Sequence, residues 1–388
     1  MISLKILFYF SLFIIFWAMI GYPLSLIMMD KLFFHKKKMI KDTTFLPSVT
    51  VMVVAHNEEK VIYDKLINLT EINYPKDKYN ILISSDNSTD NTNQIVEDFI
   101  VNNKDFNINL YVAKQHLGKT NAQNEAQKIV ESEILVMTDA NSIIEKNAVK
   151  ELVSSFSAKE ISYVCGKLNY LNKDINETSN SENEYWNLDL KLRDIEGRIQ
   201  TITAGNGALY ACRNDEYIDI KAIRSHDLAF PLYFALNNKR AIMNPDANVF
   251  EKAGETVEDE FKRKVRMNRN GLKSILPEVR ILNVFKYKWF SYFYFGHRTC
   301  RYMLWIMHII LLISNVLLVK SSVIYWFYLM LQIIFYSSVL LKLIFKIDNK
   351  ILNLAYHYAM TLTAQFVGAI RLLSGKSKAT WDKAETTR

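Results

Sequence analysis

Four apolar stretches without a charged side chain limit what this chain can fold into. They lie near the two ends of the sequence, at 6–29, 302–319, 321–341 and 351–370. A helix needs about 20 apolar residues to cross the hydrocarbon core of a bilayer, and soluble cores seldom contain stretches of this length. We therefore expect membrane segments on both sides of a soluble middle region at about 45–285.

Two of these stretches admit another interpretation. A cleaved signal peptide is the alternative for 6–29, but its apolar part is longer than the usual run of about 7–15 residues and no small-residue cleavage site follows it. We expect a retained anchor there. The stretch at 351–370 contains His357 and Gln365, and both a full crossing and a re-entrant or interfacial helix remain open for it.

The positive charges predict an orientation. The net charge is +8, and lysines are concentrated at 31–41, directly after the first stretch, while Arg298 and Arg301 precede the second. Cations flank the cytoplasmic ends of membrane helices, so we expect a multi-pass protein of the cell (inner) membrane with a cytoplasmic middle domain. Flanking cations also attract anionic lipid headgroups. The charge therefore does not indicate a nucleic-acid partner.

The three cysteines predict no covalent framework. Cys165, Cys212 and Cys300 are far apart and show no paired spacing, which argues against both a disulfide framework and a zinc site. We expect buried free thiols in a reducing compartment.

The middle region alternates between two patterns. Apolar, β-branched runs at 48–55, 79–85, 108–113 and 134–138 predict strands, and the segments at 57–71, 90–102 and 119–131 have helical patterns. This alternation is typical of an α/β fold with a mainly parallel sheet and crossover helices. Ligands in such folds bind beyond the carboxyl ends of the strands.

Polar side chains follow these predicted strands. His56-Asn57-Glu58 follows the first, Asp86 begins the segment after the second, and Asp139-Ala140-Asn141 follows the fourth. The sequence contains no Gly-x-Gly-x-x-Gly after the first strand and no Walker-type loop, which argues against dinucleotide and P-loop phosphate sites. Carboxylates instead suit ribose, base edges and a Mg²⁺ or Mn²⁺ ion on a diphosphate.

In this order, the motifs resemble the family 2 glycosyltransferases, inverting enzymes with the GT-A fold. The resemblance covers about 46–275, and the flanking apolar stretches are similar to the membrane-embedded branch that makes exopolysaccharides, chitin, cellulose and hyaluronan. It implies an N-terminal membrane helix at 1–30, a basic linker at 31–46, a GT-A domain at 47–275, an interfacial amphipathic segment at 276–301, a C-terminal membrane region at 302–372 and a basic tail at 373–388.

The resemblance also implies a donor site. The nucleotide-binding residues would be Ala55, Asn57, Glu58, Asp86, Lys119 and Asp139. Asp139 and Asn141 would hold the divalent cation, Mg²⁺ or Mn²⁺, and the expected donor is a UDP-sugar. The family has an aspartate where this chain has Asn141, whose amide oxygen can still bind a hard cation but contributes no charge.

The acceptor side follows from the same resemblance. Asp227 would be the catalytic base, Arg266 would contact the diphosphate, and the acceptor would meet Gly205, Asn206, Gly207 and His226. Met267 stands where processive members have a tryptophan. A protonated His226 would lower the pKa of the Asp227 carboxyl, whereas a neutral one would change it little.

Some of these residues have simpler interpretations when each is taken alone. Asp227 could cap a helix beginning at Leu228, and Arg266 could lie on a solvated helix face. The segment at 182–198 predicts an amphipathic helix whose simplest role is packing, and aromatic residues at 289–294 predict an interfacial helix.

The resemblance implies a hexosyltransferase that moves a sugar to a glycan or lipid-linked acceptor in cell-surface polysaccharide synthesis. One alternative is a single-sugar transferase with a lipid acceptor, which Met267 favours. A catalytically inactive, membrane-anchored nucleotide-binding protein is the other alternative.

Overall fold

The computed structural model describes residues 1–39, 41–171, 177–252, 256–347, 349–377 and 379–380. Within the helix that begins at Glu177, side chains are described from Trp186 onward. The predicted basic tail at 373–388 therefore lies largely outside the described residues.

Eight strands form one sheet. They are β1 Val49–Ala55, β2 Tyr79–Ser85, β3 Asn107–Val112, β4 Ile134–Asp139, β5 Ile143–Ile144, β6 Ile161–Tyr170, β7 Leu209–Arg213 and β8 Arg240–Glu251. Their order is β3-β2-β1-β4-β7-β6-β8-β5. The pairs among β1, β2, β3 and β4 are parallel, as is β6 with β8, while β7 is antiparallel to both neighbours. The predicted α/β class with a mainly parallel sheet is confirmed.

The strand β1 lies between β2 and β4, and both of its faces are covered. All seven of its residues are buried, and its side chains alternate between two apolar clusters. Val51 packs in the first cluster, whereas Met52 packs on the opposite face of the sheet. A strand covered on both faces needs a continuous apolar run, which is the pattern that the sequence shows.

Among the described residues of the middle region, seven α-helices lie before, between and after the strands. They are α3 Ile62–Thr70, α4 Thr92–Asn102, α5 Lys119–Gln127, α6 Ala148–Ser154, α7 Glu177–Ile199, α8 His226–Leu236 and α9 Val257–Met267. Two predicted boundaries are wrong. The helix expected from residue 57 begins at Ile62, because Asn57 has a left-handed backbone (φ 55°) that a helix does not accept. The helix expected to reach residue 131 ends at Gln127. Beyond it, the amides of residues 128–130 donate to carbonyl oxygens three residues earlier, which is a 3₁₀-type pattern.

The remaining helices contain the apolar stretches. They are α1 Ile2–Phe16 and α2 Tyr22–Met29 before the sheet, then α10 Gly271–Ser274, α11 Val284–Tyr287, α12 Trp289–Phe293, α13 Cys300–Leu318, α14 Val323–Phe345 and α15 Lys350–Leu373. Among the residues that the structure describes, three continuous helices are long and apolar enough to cross a membrane: Ile2–Phe34, Trp289–Ser321 and Val323–Phe345. The predicted interfacial segment at 289–294 is therefore the beginning of the second of these helices and not a separate element.

The fourth apolar stretch forms α15, which is not among those three helices in the described part of the chain. It packs against α13 and α14 on one side and against α9 and α10 on the other. Gly368 lies so close to Asn268 that a Cβ atom would come within 2.6 Å of that residue's carbonyl oxygen. The helix α15 therefore packs closely against the segment that follows α9.

All three cysteines are buried free thiols, as predicted.

Candidate active site

The ends of β1 and β2 are tied together by backbone and side-chain hydrogen bonds. The Asp86 amide donates to the Ala55 carbonyl oxygen at 2.8 Å. The Asn57 side-chain oxygen accepts from the Thr89 amide at 2.7 Å, and the amide of the buried Glu58 donates to Thr92 Oγ1 at 2.7 Å. The first predicted nucleotide-binding residues are thus held at one edge of the sheet.

Asp86 has no exposed surface, and its carboxylate organises the loop before α5. It accepts hydrogen bonds from the amides of Leu117 at 3.1 Å and Gly118 at 2.8 Å. Gly118 has φ 99°, a conformation that L-residues rarely adopt, and this places Lys119 at the first position of α5. Two predicted donor-site residues, Asp86 and Lys119, are therefore connected through this glycine.

A histidine that sequence reasoning missed joins the same corner. His116 Nδ1 lies 2.8 Å from the Asp86 carboxylate, and its ring stacks on that of His56 with centroids 3.7 Å apart. Ligand atoms of these three residues lie within 4.8 Å of one another, so the group is a possible metal site. The rings are nearly parallel, at 13°, and one of them must turn before the lone pairs of both point at one ion.

The predicted metal-binding turn follows β4. Lys119 Nζ forms an ion pair with Asp139 Oδ1, so a cation already faces this carboxylate in the structure, and the same ammonium lies 3.4 Å from the Gly207 carbonyl oxygen. Asn141 is half-buried in the same turn. A carboxylate and an amide oxygen are ligands that Mg²⁺ and Mn²⁺ accept, so the residues present fit a divalent cation.

A buried lysine donates hydrogen bonds to this turn. Lys65, on α3, donates to the Ser142 carbonyl oxygen at 2.8 Å and to Thr138 Oγ1 at 3.1 Å. Burial lowers the pKa of Lys65 to about 7, against the opposing effect of Asp139 and Glu251. A single lysine within an amphipathic helix pattern gave no signal in the sequence that it would point inward.

The predicted acceptor loop contacts the donor side at Gly207 and the sheet at Asn206. A Cβ atom on Gly207 would lie 3.6 Å from Lys119 Nζ and 4.0 Å from Asp139 Oδ2. The buried Asn206 donates to the Gly166 carbonyl oxygen at 2.6 Å and accepts from the Ala208 amide at 3.1 Å. These hydrogen bonds hold the loop beside Asp139.

Asp227 lies in the first turn of α8, which begins at His226 after Ser225. The helix starts earlier than Leu228, so Asp227 is not its N-cap. The Asp227 carbonyl oxygen accepts from the Gly205 amide at 2.7 Å. A small pocket of about 40 Å³ joins the two sides of the site, and it is lined by Lys119, Thr120, Gln123, Gly207, Tyr210, Ser225, His226 and Asp227.

His226 is neutral in this arrangement. Gln123 Nε2 donates to the Tyr210 hydroxyl oxygen at 2.8 Å, and this hydroxyl lies 3.0 Å from His226 Nδ1. Tyr217 donates to Asn124 at 2.8 Å, so its oxygen accepts from His226 Nε2 at 3.2 Å. Burial, with a smaller effect of Lys119, lowers the pKa of His226 to about 3. Of the two alternatives for this residue, burial favours the neutral one.

Arg266, near the end of α9, and Arg269, just after it, differ in their surroundings. Arg266 is exposed on α9, and Met267 beside it has an exposed fraction of 55%. Burial lowers the pKa of Arg269, while the negative charge of Asp227 opposes this shift. Arg269 also donates to the Ala379 carbonyl oxygen at 3.1 Å. Arg269, which the family motif did not select, is therefore close enough to Asp227 for their charges to interact.

The site thus combines acidic strand ends, a Gly-Lys loop and an aspartate beside a glycine-rich loop, on a GT-A scaffold. Residues 50–216 match the family model described as glycosyl transferase family 2. This part of the chain is therefore similar to family 2 glycosyltransferases.

Two curated relatives indicate the range of the family around this chain. A β-monoglucosyldiacylglycerol synthase from Nostoc sp. (strain PCC 7120) is 29% identical over 34% of this chain and 27% of its own length. A poly-β-1,6-N-acetyl-D-glucosamine synthase from Staphylococcus epidermidis is 25% identical over 59% of this chain and 56% of its own length. The chain thus spans only about a quarter to just over half of these relatives.

A solved structure matches nearly the whole chain. The mannosyltransferase PcManGT from Pyrobaculum calidifontis, in complex with GDP-Man and Mn²⁺, superposes with a TM-score of 0.74 over 95% of this chain and 99% of that one. At 18% sequence identity this match shows the fold, including the apolar helices, and not the substrates.

Proposed function

We propose that this protein is a membrane-bound, inverting glycosyltransferase. It moves a sugar from a nucleotide diphosphate sugar to a glycan or lipid-linked acceptor, with its catalytic domain on the cytoplasmic face of a multi-pass membrane protein. One observation carries the proposal: the pocket that contains Asp227 is also lined by Lys119 and Gly207. Lys119 forms an ion pair with Asp139, and a Cβ atom on Gly207 would lie 4.0 Å from Asp139 Oδ2. A donor diphosphate and an acceptor hydroxyl can therefore meet in one place.

The donor half of the pocket suits a nucleoside diphosphate. Asp86 and the 116–118 loop would lie on the base side of the donor, and Asp139 with Asn141 would hold a divalent cation. The mannosyltransferase PcManGT, solved with GDP-Man and Mn²⁺, supports a divalent cation with a nucleotide sugar in this fold. Such a cation, when bound, stabilises the charge that develops on the leaving diphosphate. Lys119 then exchanges its ion pair with Asp139 for a contact with phosphate oxygens, and Arg266 supplies a second positive charge.

The acceptor half supplies the base. The Asp227 carboxylate removes the proton of the acceptor hydroxyl as that oxygen attacks the anomeric carbon, and the bond from that carbon to the diphosphate oxygen breaks on the opposite face. The neutral His226 adds no positive charge beside Asp227. Gly207 leaves room for the sugar between the two halves.

Both polymer and single-sugar products are consistent with this site, and each has a relative in its favour. The synthase from Staphylococcus epidermidis makes a polysaccharide, whereas the enzyme from Nostoc sp. makes a glycolipid. We favour transfer in cell-surface polysaccharide synthesis. A transferase for a lipid acceptor is the second candidate because Met267 replaces the expected tryptophan.

A donor panel tests the activity. The full chain in detergent with Mn²⁺ and bacterial lipid extract is supplied with UDP- and GDP-linked hexoses and N-acetylhexosamines, and release of nucleoside diphosphate is measured. Turnover of one donor class supports the proposal. Products labelled from that donor are then sized: a ladder supports chain extension and a single addition supports the second candidate. Nucleotide binding without any turnover would instead support an inactive nucleotide-binding protein.

The variant Asp227→Asn tests the mechanism. Loss of the base should reduce transfer by about 10²-fold to 10⁴-fold, since general bases contribute that much. Binding of the nucleoside diphosphate with Mn²⁺ should stay within about twofold of wild type, because the carboxylate does not face the diphosphate in this mechanism. Retained turnover, or a parallel loss of nucleotide binding, would contradict the assignment of Asp227.

A further inference from the structure

A chain of buried polar contacts runs from the first apolar helix to the candidate base. It begins at Tyr22 on α2, whose hydroxyl donates to Glu196 Oε1 at 2.5 Å, and Glu196 lies on α7. His297, in the second apolar helix, bridges the same carboxylate to another on α7: its Nδ1 lies 2.6 Å from Glu196 Oε1 and its Nε2 lies 2.8 Å from Asp189 Oδ1. Tyr22, Glu196 and His297 have no exposed surface.

Arg193 extends this chain to the acceptor loop. Its Nε forms an ion pair with Asp189 Oδ2 at 2.6 Å, while its Nη1 donates to the Gly205 carbonyl oxygen. The Gly205 amide in turn donates to the Asp227 carbonyl oxygen at 2.7 Å. The Arg193 guanidinium therefore connects the buried Asp189 carboxylate of α7 with Gly205, and Gly205 in turn contacts the backbone of Asp227.

The charges in this network compensate one another. Although burial alone would raise them, the pKa values of Asp189 and Glu196 are lowered, Asp189 chiefly by Arg193 and His297 and Glu196 chiefly by His297. Arg301 adds a further ion pair to Asp189 at 2.6 Å. Buried and mutually compensated charges hold a single geometry, because removing one partner leaves another charge uncompensated.

We propose that Arg193 is a positioning residue for the acceptor side of the site, and that the Tyr22–Glu196–His297–Asp189 network fixes Arg193 against the apolar helices. This proposal rests on the proposed function for its effect on transfer, but its structural part does not. Arg193 acts through Gly205 on the placement of Asp227. Packing of the anchor helix thereby sets the geometry in which the acceptor is held.

The test compares two arginines of α7. Arg193→Lys keeps the charge but loses the fork that joins Asp189 to Gly205, since a lysine presents one ammonium. Arg198→Lys is the matched control: Arg198 also reaches the first apolar helix, through Asp30 at 2.9 Å, and it has no described contact with the acceptor loop. Tyr22→Phe perturbs the far end of the network by removing one hydroxyl.

Hydrogen–deuterium exchange of the full chain in detergent needs no substrate. In Arg193→Lys we expect amides at 203–208 to exchange about 10-fold faster, because a hydrogen bond to a charged group is lost. Tyr22→Phe should show a smaller increase at the same amides, and Arg198→Lys should show none. Amides at 80–90 on the donor side should be unchanged in all three. Equal effects of the two arginine variants, or faster exchange throughout the domain, would overturn the proposal.

Turnover provides the second measurement, with the donor that wild type uses in the panel. Transfer by Arg193→Lys should fall about 10-fold to 100-fold, because small displacements of reacting groups cost that much. Binding of UDP or GDP with Mn²⁺ and hydrolysis of the donor without acceptor should stay within about twofold. Unchanged transfer would refute the positioning role. An inactive wild type would refute the proposed function and leave the exchange result to decide the structural part.

Discussion

The donor half and the acceptor half of the site are built in different ways. The donor half consists of loops at the ends of β1, β2 and β4, held by short hydrogen bonds between neighbouring strand ends, such as that from the Asp86 amide to Ala55. The acceptor half depends on Arg193 and on a buried network that includes residues of two apolar helices. In the proposed mechanism the nucleotide site is carried by the sheet alone, whereas the proposed acceptor site is connected to two apolar helices.

The largest expected effect tests whether the halves separate. Asp139→Ala removes the carboxylate that faces Lys119 and that would hold the cation, so transfer should fall about 10³-fold or more. Binding of Mn²⁺ with UDP or GDP, measured by calorimetry, should be lost as well. The exposed Asp215 offers a control, since Asp215→Ala should alter neither quantity. Normal nucleotide binding by Asp139→Ala would show that Asp139 does not belong to the donor half.

A substitution at Gly205 tests how tightly the acceptor half is packed. A Cβ atom at this position would overlap the hydroxyl of the fully buried Tyr163. Gly205→Ala should therefore lower the free energy of unfolding by about 1–3 kcal/mol, as overpacking of cores does. Thermal unfolding and transfer should both report the loss, while nucleotide binding below the unfolding temperature should persist.

The same site offers a suppressor. Tyr163→Phe removes the overlapping hydroxyl and should restore part of the stability and transfer lost in Gly205→Ala, because the ring carbon Cζ still lies 2.8 Å from the added Cβ. If the double variant is no more stable than Gly205→Ala alone, the overlap with this hydroxyl is not the cause.

The last expected effect concerns pH. Because the pKa of His226 is about 3 when folded and near 6.5 when unfolded, only the unfolded chain takes up a proton between these values. Stability contributed by His226 should therefore fall as pH drops from about 6.5 towards 3, by at most about 1.4 kcal/mol per pH unit. In His226→Phe the loss of unfolding free energy from pH 7 to pH 4.5 should be smaller than in wild type.

A matched control is available for this measurement. His35 is exposed, so His35→Asn should keep the pH dependence of wild type. If His226→Phe and wild type lose equal stability on acidification, then His226 already takes up its proton in the folded state, and the neutral tautomer between Tyr210 and Tyr217 is incorrect.

Much of the donor half could be predicted from the sequence because its information is local. The runs that form β1 and β2 are mainly apolar, and the polar residues that follow them lie at the same sheet edge because the two strands are parallel. Lys65 and His116 were missed for the opposite reason. Each becomes significant only because a residue distant in sequence, Ser142 or Asp86, lies beside it.

Helix boundaries show the same distinction. The pattern after β1 was helical from residue 57, but Asn57 adopts a left-handed backbone that lets its side chain bind the Thr89 amide. A periodic pattern does not reveal such a contact, because the partner belongs to the next strand end. The identity of the arginine near Asp227 likewise depended on how α9 and the following turn pack against α15, and not on motif spacing.

The sequence by itself determined the α/β class, the apolar helices and the order of the donor-site motifs, because apolar periodicity and charge-free length are local properties of a chain. Only the tertiary structure decided that Asp189, Arg193, Glu196 and His297 form one buried network, since the sequence shows them as ordinary charges on an amphipathic helix and beside an apolar one. A buried charge is stable only with its partners, and those partners are brought together by folding.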